Sequence, residues 1–160
     1  MMTSFPTIEL RRVTRDDREV ITDLYCVVFN AAPWNDAWTV ETASVRLRDI
    51  LATPGSEGIM ALEGARPVGC LLGYREQWFD GVHFYLKEMF VHPERQRRGI
   101  GASLMRELKE VVRRQGVARI YLLTERGGEA ADFYRAQGFY PSQRMAMMSC
   151  QLEPVDPETA

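Results

Sequence analysis

Two stretches of the chain have residue types and spacing that could do chemistry. The first is Gln96-Arg97-Arg98-Gly99-Ile100-Gly101, which runs from a cluster of positive charge into the apolar spacing of a helix. A helix start leaves backbone N–H groups without partners and carries partial positive charge. An anion such as a phosphate group satisfies both. Glycines at 99 and 101 let the backbone approach such a ligand closely, and Arg97 and Arg98 add charge at the rim. A solvated turn is the plainer reading, because G-x-G alone is weak evidence. The setting favours the anion site, since the glycines follow a predicted strand and open a predicted helix. Other phosphate loops fit poorly. No lysine follows, as G-x-x-x-x-G-K-[ST] requires, and Leu104 stands where G-x-G-x-x-G needs its last glycine.

The second is a pair of segments, PWNDAW at 33–38 and REQWFDG at 75–81, which mix aromatic rings with acids. Trp34, Asp36 and Trp38 lie in one, and Glu76, Trp78, Phe79 and Asp80 in the other. Aromatic faces beside carboxylates attract cations. The alternative is that these rings only cover the edge of a core. The three cysteines, Cys26, Cys70 and Cys150, are scattered, and neither Cys26 nor Cys70 has a histidine close in sequence. They read as reduced thiols rather than nucleophiles or a disulfide framework. His83 and His92 form no ligand cluster with them, so no metal is expected.

The elements that must position these groups follow from periodicity. The chain has 160 residues, 46% of them apolar and 26% charged, which suits one soluble α/β domain. The expected domain spans 1–152, with 153–160 (EPVDPETA) as a disordered tail. The net charge of -2 argues against a nucleic-acid partner. No apolar run is long enough to cross a membrane, and the N-terminus lacks a signal-peptide core. A cytoplasmic protein is expected.

IELRRV at 8–13 predicts a strand. Thr14 with Asp17 predicts a capped helix with Val20, Ile21, Leu24, Val27 and Val28 on its inner face. A second helix is expected over 39–51, with Val40, Leu47, Ile50 and Leu51 inward. Strands at 58–64, 68–79 and 84–92 should form an antiparallel meander. A helix over 101–115 and a strand at 118–124 complete a right-handed parallel crossover. A short helix at 129–137 and a weaker strand at 144–152 close the order β-α-α-β-β-β-α-β-α-β, a mixed sheet with helices on both faces.

Gln96 to Gly101 after Val91-His92-Pro93 resembles the (Q/R)-x-x-G-x-(G/A) signature of the GCN5-related N-acetyltransferase (GNAT) family. FYRAQGF at 133–139 is similar to that family's F/L-Y-x-x-x-G-F element, and the strand order resembles its acyl-CoA N-acyltransferase fold. The resemblance spans most of the chain and is strongest from 84 to 140. It implies an enzyme that uses acetyl-CoA as co-substrate. The backbone of Gln96, Arg97, Arg98, Gly99, Ile100, Gly101 and Ala102 would hold its pyrophosphate. Met89, Phe90 and Val91 would pair with the pantetheine amides as an added strand does. Tyr134 would stand near the sulfur as general acid, against the alternative of a core aromatic beside Phe133. Where the family often has Asn seven residues before that tyrosine, this chain has Gly127.

Direct acetyl transfer needs a neutral amine, so a base must take the ammonium proton. Glu88 is the candidate, because strand alternation sets it between Leu86 and Phe90 on one face. Apolar neighbours would raise its pKa toward neutrality. The alternative is an ion pair with an arginine. Trp34, Asp36, Glu76 and Trp78 would then meet a cationic small amine, such as a polyamine or an aminoglycoside-like molecule. Two other readings stand beside this one: a non-catalytic acyl-CoA-sensing module, and a protein or peptide N-acetyltransferase. Proteins of this fold are often dimers, so a homodimer is an expected partner.

Overall fold

The structure is a computed structural model that describes residues 7–155. The chain divides into two compact units, Met1–Leu122 and Leu123–Ala160. In the first, the elements run β1 (Ile8–Arg12), a 3-10 turn (Arg15–Asp17), α1 (Arg18–Phe29), α2 (Val40–Ala52), β2 (Ser56–Glu63), β3 (Arg66–Trp78), β4 (Gly81–Val91), a 3-10 turn (Pro93–Arg95), α3 (Ile100–Arg114) and β5 (Val117–Tyr121). In the second, α4 spans Gly128–Ala136.

The sheet has five strands in the order β1-β2-β3-β4-β5. The first four run antiparallel, β2 to β4 as the meander predicts, and β5 joins β4 in parallel. Helices cover both faces. Cys70, Leu72 and Phe90 pack with Ile21, Leu24 and Tyr25 of α1 and with Leu47 and Ile50 of α2. On the other face a Cβ at Gly69 would meet Leu104 and Ile100 of α3 at 3.1 and 3.2 Å. Each fully buried Leu, Ile, Phe or Met side chain contributes about 1.5–3 kcal/mol.

Helix starts follow their capping chemistry. Asp17 accepts from the Thr14 backbone at 2.7 Å and pairs with Arg11 at 2.8 Å. That arginine and those bonds, opposed by burial, lower the Asp17 pKa to about 2. The Thr39 side chain accepts from Thr42 N at the start of α2.

Four expectations need correction. No strand forms at 144–152; Met145, Met147, Met148 and Leu152 are exposed there. RMAMMSCQL has no β-branched or aromatic residue and no clean alternation, so it lacks strand preference. The parallel strand stops at Tyr121 instead of Thr124. Val20, Val27 and Val40 are exposed, because the buried stripe of α1 is Ile21, Leu24, Tyr25 and Val28, and Val40 is the first residue of α2. Finally, Leu86 and Glu88 do not share a face. Leu72 faces Glu88 while the next residue, Gly73, faces Leu86, so Lys87 is an extra residue on β4. Gly73 makes the close approach that this irregularity needs: a Cβ there would fall 2.1 Å from the Tyr85 carbonyl oxygen. Glu153–Val155 have no regular structure, and the rest of the expected tail lies outside the described residues. Among the described residues, no helix is long and apolar enough to cross a membrane.

Candidate active site

The bulge at Lys87 decides which side chains meet. Paired residues in an antiparallel ladder share a face. Glu88 therefore faces the same way as Leu72, and Tyr85, opposite Tyr74, lies on that face too. This is the face that α1 and α2 cover. Glu88 is 7% exposed and stands opposite the buried Leu72 on β3. Arg46 reaches it from α2, its Nε donating to Glu88 Oε1. The Tyr25 side chain from α1 adds to the electrostatics of the same cluster. Burial pushes the Glu88 carboxyl above its ordinary value, and Arg46, Lys87 and Tyr25 pull it part of the way back. Burial also pushes the Tyr25 hydroxyl up. The ion pair weighed as the alternative role for Glu88 is thus present, and its partner comes from a helix.

Beside this cluster lies a depression of about 350 Å³ lined by Trp38, Thr42, Arg46, Asp49, Tyr74 and Lys87, among others. A second, of about 430 Å³, is lined by Asp36, Ala37, Trp38 and Thr42. Trp38 and Thr42 line both. Asn30 fixes Trp38 by accepting from its backbone N–H at 2.8 Å and donating to its carbonyl at 2.8 Å. The Arg46 guanidinium lies 5.9 Å from the Trp38 ring centroid. The Lys87 ammonium lies 4.4 Å from the Tyr85 ring centroid.

The four expected acceptor residues separate. Asp36 lines the second depression and accepts from Trp38 Nε1 at 3.0 Å. Trp34 packs on Phe29 at 5.8 Å between centroids. Glu76 and Trp78 line neither depression. The Tyr121 hydroxyl donates to Glu76, and Trp78 Nε1 donates to it at 3.3 Å. Trp78 also stacks on the buried His83 at 5.0 Å.

The β5 ladder ends at Tyr85↔Tyr121, while β4 runs on to Val91. Met89, Phe90 and Val91 pair with Leu71, Cys70 and Gly69 on β3 and have no β5 partner on the other edge. An extended ligand can join such an edge as a strand does. Past it, the Gln96 side chain donates to the Val91 carbonyl at 3.1 Å. The loop then turns through Arg97 at φ 59° and Gly99 at φ 80°. A left-handed conformation favours glycine at 99. Ile100 buries its side chain under Gly69, Gly101 and Ala102 follow in the first turn of α3, and that turn holds no acid. Three features thus fit an anion: a helix start without a competing carboxylate, a left-handed approach, and the arginines at 97 and 98.

Tyr134 lies in the second unit, on α4. Its ring packs edge-on against Phe133 at 5.3 Å and Phe139 at 5.6 Å. The aromatic contact with Phe133 foreseen as the alternative is present.

Arg46, Lys87, Tyr25 and Tyr74 are the residues that sequence reasoning missed. Arg46 did leave a signal. It stands on the inward stripe of α2 between the buried Ala43 and Ile50, where an apolar residue is the rule.

The model of the acetyltransferase (GNAT) family matches residues 19–139, three quarters of the chain. The chain belongs to the GNAT family. It is 29% identical over 97 residues to a thialysine N-epsilon-acetyltransferase from Bos taurus, covering 56% of this chain and 51% of that protein. The chain thus spans about half the length of that curated relative. A solved aminoglycoside acetyltransferase from an uncultured soil metagenomic sample, in complex with sisomicin, superposes with a TM-score of 0.71 at 19% identity, covering 91% of this chain and 97% of that one. An aminoglycoside N-acetyltransferase in complex with CoA superposes with a TM-score of 0.73 at 14% identity, covering 95% and 100%. At such identities the GNAT fold is what these structures share with the chain.

Proposed function

We propose that this GNAT protein is an acetyl-CoA-dependent N-acetyltransferase acting on a primary amine of a small molecule. One observation carries the reading: a buried carboxylate, Glu88, stands where β4 bulges and the β5 ladder ends. Bulges beside an opened ladder re-aim side chains into sites. Glu88 has a pKa raised by burial, which suits a base working near neutrality.

Acetyl-CoA would supply the acetyl thioester, whose C–S bond breaks as the new N–C bond forms. The free edge of Met89–Val91 would hold the extended arm, and the backbone of 96–102 with Arg97 and Arg98 its phosphates. The ammonium loses two protons, one to Glu88 and one to the departing thiolate. The family element around Tyr134 supports that residue as donor of the second. A backbone N–H at Phe90 or Val91 would stabilise the oxyanion. Of the expected acceptor residues, Asp36, which lines the depression beside Trp38, is proposed to meet the far end of the acceptor. The similar proteins are named for thialysine and aminoglycosides, both amines, which supports a small acceptor.

The test is a panel of primary amines incubated with acetyl-CoA, read by thiol release. Turnover with at least one amine is expected. Binding of acetyl-CoA without turnover of any amine would favour the sensing module, and no binding by a folded protein would overturn both.

A further inference from the structure

We infer that the acceptor is an α-amino acid, acetylated on its α-nitrogen, with its carboxylate taken by Arg46 and Lys87. The inference rests on the acetyltransferase reading and names the substrate class of that same site. Its basis is charge and spacing beside Glu88.

The depression next to the base is lined by two cations, Arg46 and Lys87, and one acid, Asp49. Asp49 already accepts from Arg48 at 2.9 Å. Glu88 neutralises one of the two cations. The other, Lys87, rests on the face of Tyr85, a contact that leaves an ammonium able to bind an anion. The local balance of Arg46, Lys87 and Glu88 is therefore +1. A polyamine placed here would add positive charge beside two cations. A zwitterion brings a carboxylate to balance the excess and an ammonium for Glu88.

The spacing narrows the class further. The bond to Glu88 uses Arg46 Nε, so the terminal guanidinium nitrogens are not consumed by that carboxylate. Base and guanidinium are in direct contact. A ligand that puts an ammonium on Glu88 and an anion on Arg46 must carry the two groups close together. An α-amino acid has them on one carbon. A molecule with a distant acid would reach only one partner. Planar, two-point recognition of carboxylate is what a guanidinium does best. The side chain would then run along Trp38 and Thr42 toward Asp36, in the second depression.

In the transfer, the α-ammonium gives one proton to Glu88, the nitrogen bonds to the acetyl carbon, and the thiol leaves with the other proton. The products are an N-acetyl amino acid and CoA, with one proton released to solvent.

The experiment compares amine pairs that differ only in the carboxylate, lysine against cadaverine and phenylalanine against phenethylamine. It measures kcat/KM by thiol release and the acetylated nitrogen by mass spectrometry. At least a tenfold preference for an amino acid over its partner is expected, with α-N-acetyl product. Lys87→Gln and Arg46→Lys should shrink that preference chiefly by raising KM for the amino acid. Decarboxylated amines turning over as well as or better than the amino acids, or acetylation of lysine on its side chain alone, would overturn the inference and leave the acetyltransferase reading intact. No turnover of any of the four compounds and of the wider amine panel would remove that reading itself.

Discussion

Arg46 on α2 and Glu88 on β4 lie 42 residues apart in the chain and are hydrogen-bonded in the fold. Glu88 is almost fully buried, and Arg46 is 39% exposed. A buried carboxylate without a partner is costly, so this contact does two things at once. It makes the charge tolerable under α1 and α2, and it holds the carboxylate at the end of the β5 ladder. Stability and the proposed chemistry therefore share this contact, and each can be tested separately.

Glu88→Gln keeps the shape and removes the proposed proton acceptor. kcat/KM is expected to fall by roughly 10²–10⁴, the usual contribution of a general base, and its acidic limb should flatten. Calorimetric affinity for acetyl-CoA should stay at the wild-type value. A pH–rate profile identical to wild type would show that another group takes the proton.

Arg46→Met should make stability more sensitive to pH. Burial already raises the Glu88 pKa and Arg46 opposes that rise. Without Arg46 the folded-state pKa rises further above the unfolded value of about 4.3. A group with a raised folded pKa stabilises the fold below the unfolded value and loses that contribution as pH rises through the folded value. The variant should therefore melt below wild type at pH 7.5, and the gap should narrow toward pH 5. The loss at neutral pH should be about 2 kcal/mol, below the figure of about 3–5 for a fully buried pair, because the guanidinium is partly exposed. The same gap in Tm at both pH values would contradict this account.

Gly101→Glu separates folding from anion binding. An acidic side chain in the first turn of α3 suits the helix dipole, worth about 0.3–1 kcal/mol, so the variant should fold. The same charge should repel a phosphate and lower the affinity for acetyl-CoA at least a hundredfold in calorimetry. Wild-type affinity in the folded variant would remove the phosphate role from this loop.

Gly73→Ala probes the bulge. The added methyl carbon would stand 2.1 Å from the Tyr85 carbonyl and 2.6 Å from the Phe84 ring, so β3 and β4 must move apart. Overpacking of this kind costs about 1–3 kcal/mol. The urea midpoint should drop, and kcat should drop with it because Glu88 is re-aimed by the same irregularity. An unchanged midpoint would mean that the strands adjust without cost.

Short-range physics wrote much of this protein openly into its residues. The cap at Thr14, the meander, the parallel crossover and the turn at Gly99 all depend on neighbours within a few positions, so their pattern survives in a linear reading. The motif at 96–101 and the element at 133–139 carried the family resemblance for the same reason. Glu88 could be picked out as a carboxylate in an apolar strand.

Its surroundings could not. Strict alternation set Leu86 and Glu88 on one face, but one extra residue at Lys87 turned them to opposite faces. A bulge is a property of two paired strands, and one strand's sequence does not display it. Arg46 met Glu88 only once α2 was laid across the sheet. Asp36 and Glu76, alike in sequence context, took different surroundings because one lies on the α1–α2 connection and the other far along β3. Charge balance around Glu88 is likewise a sum over residues that only packing makes neighbours, and the proposed zwitterionic acceptor rests on that sum.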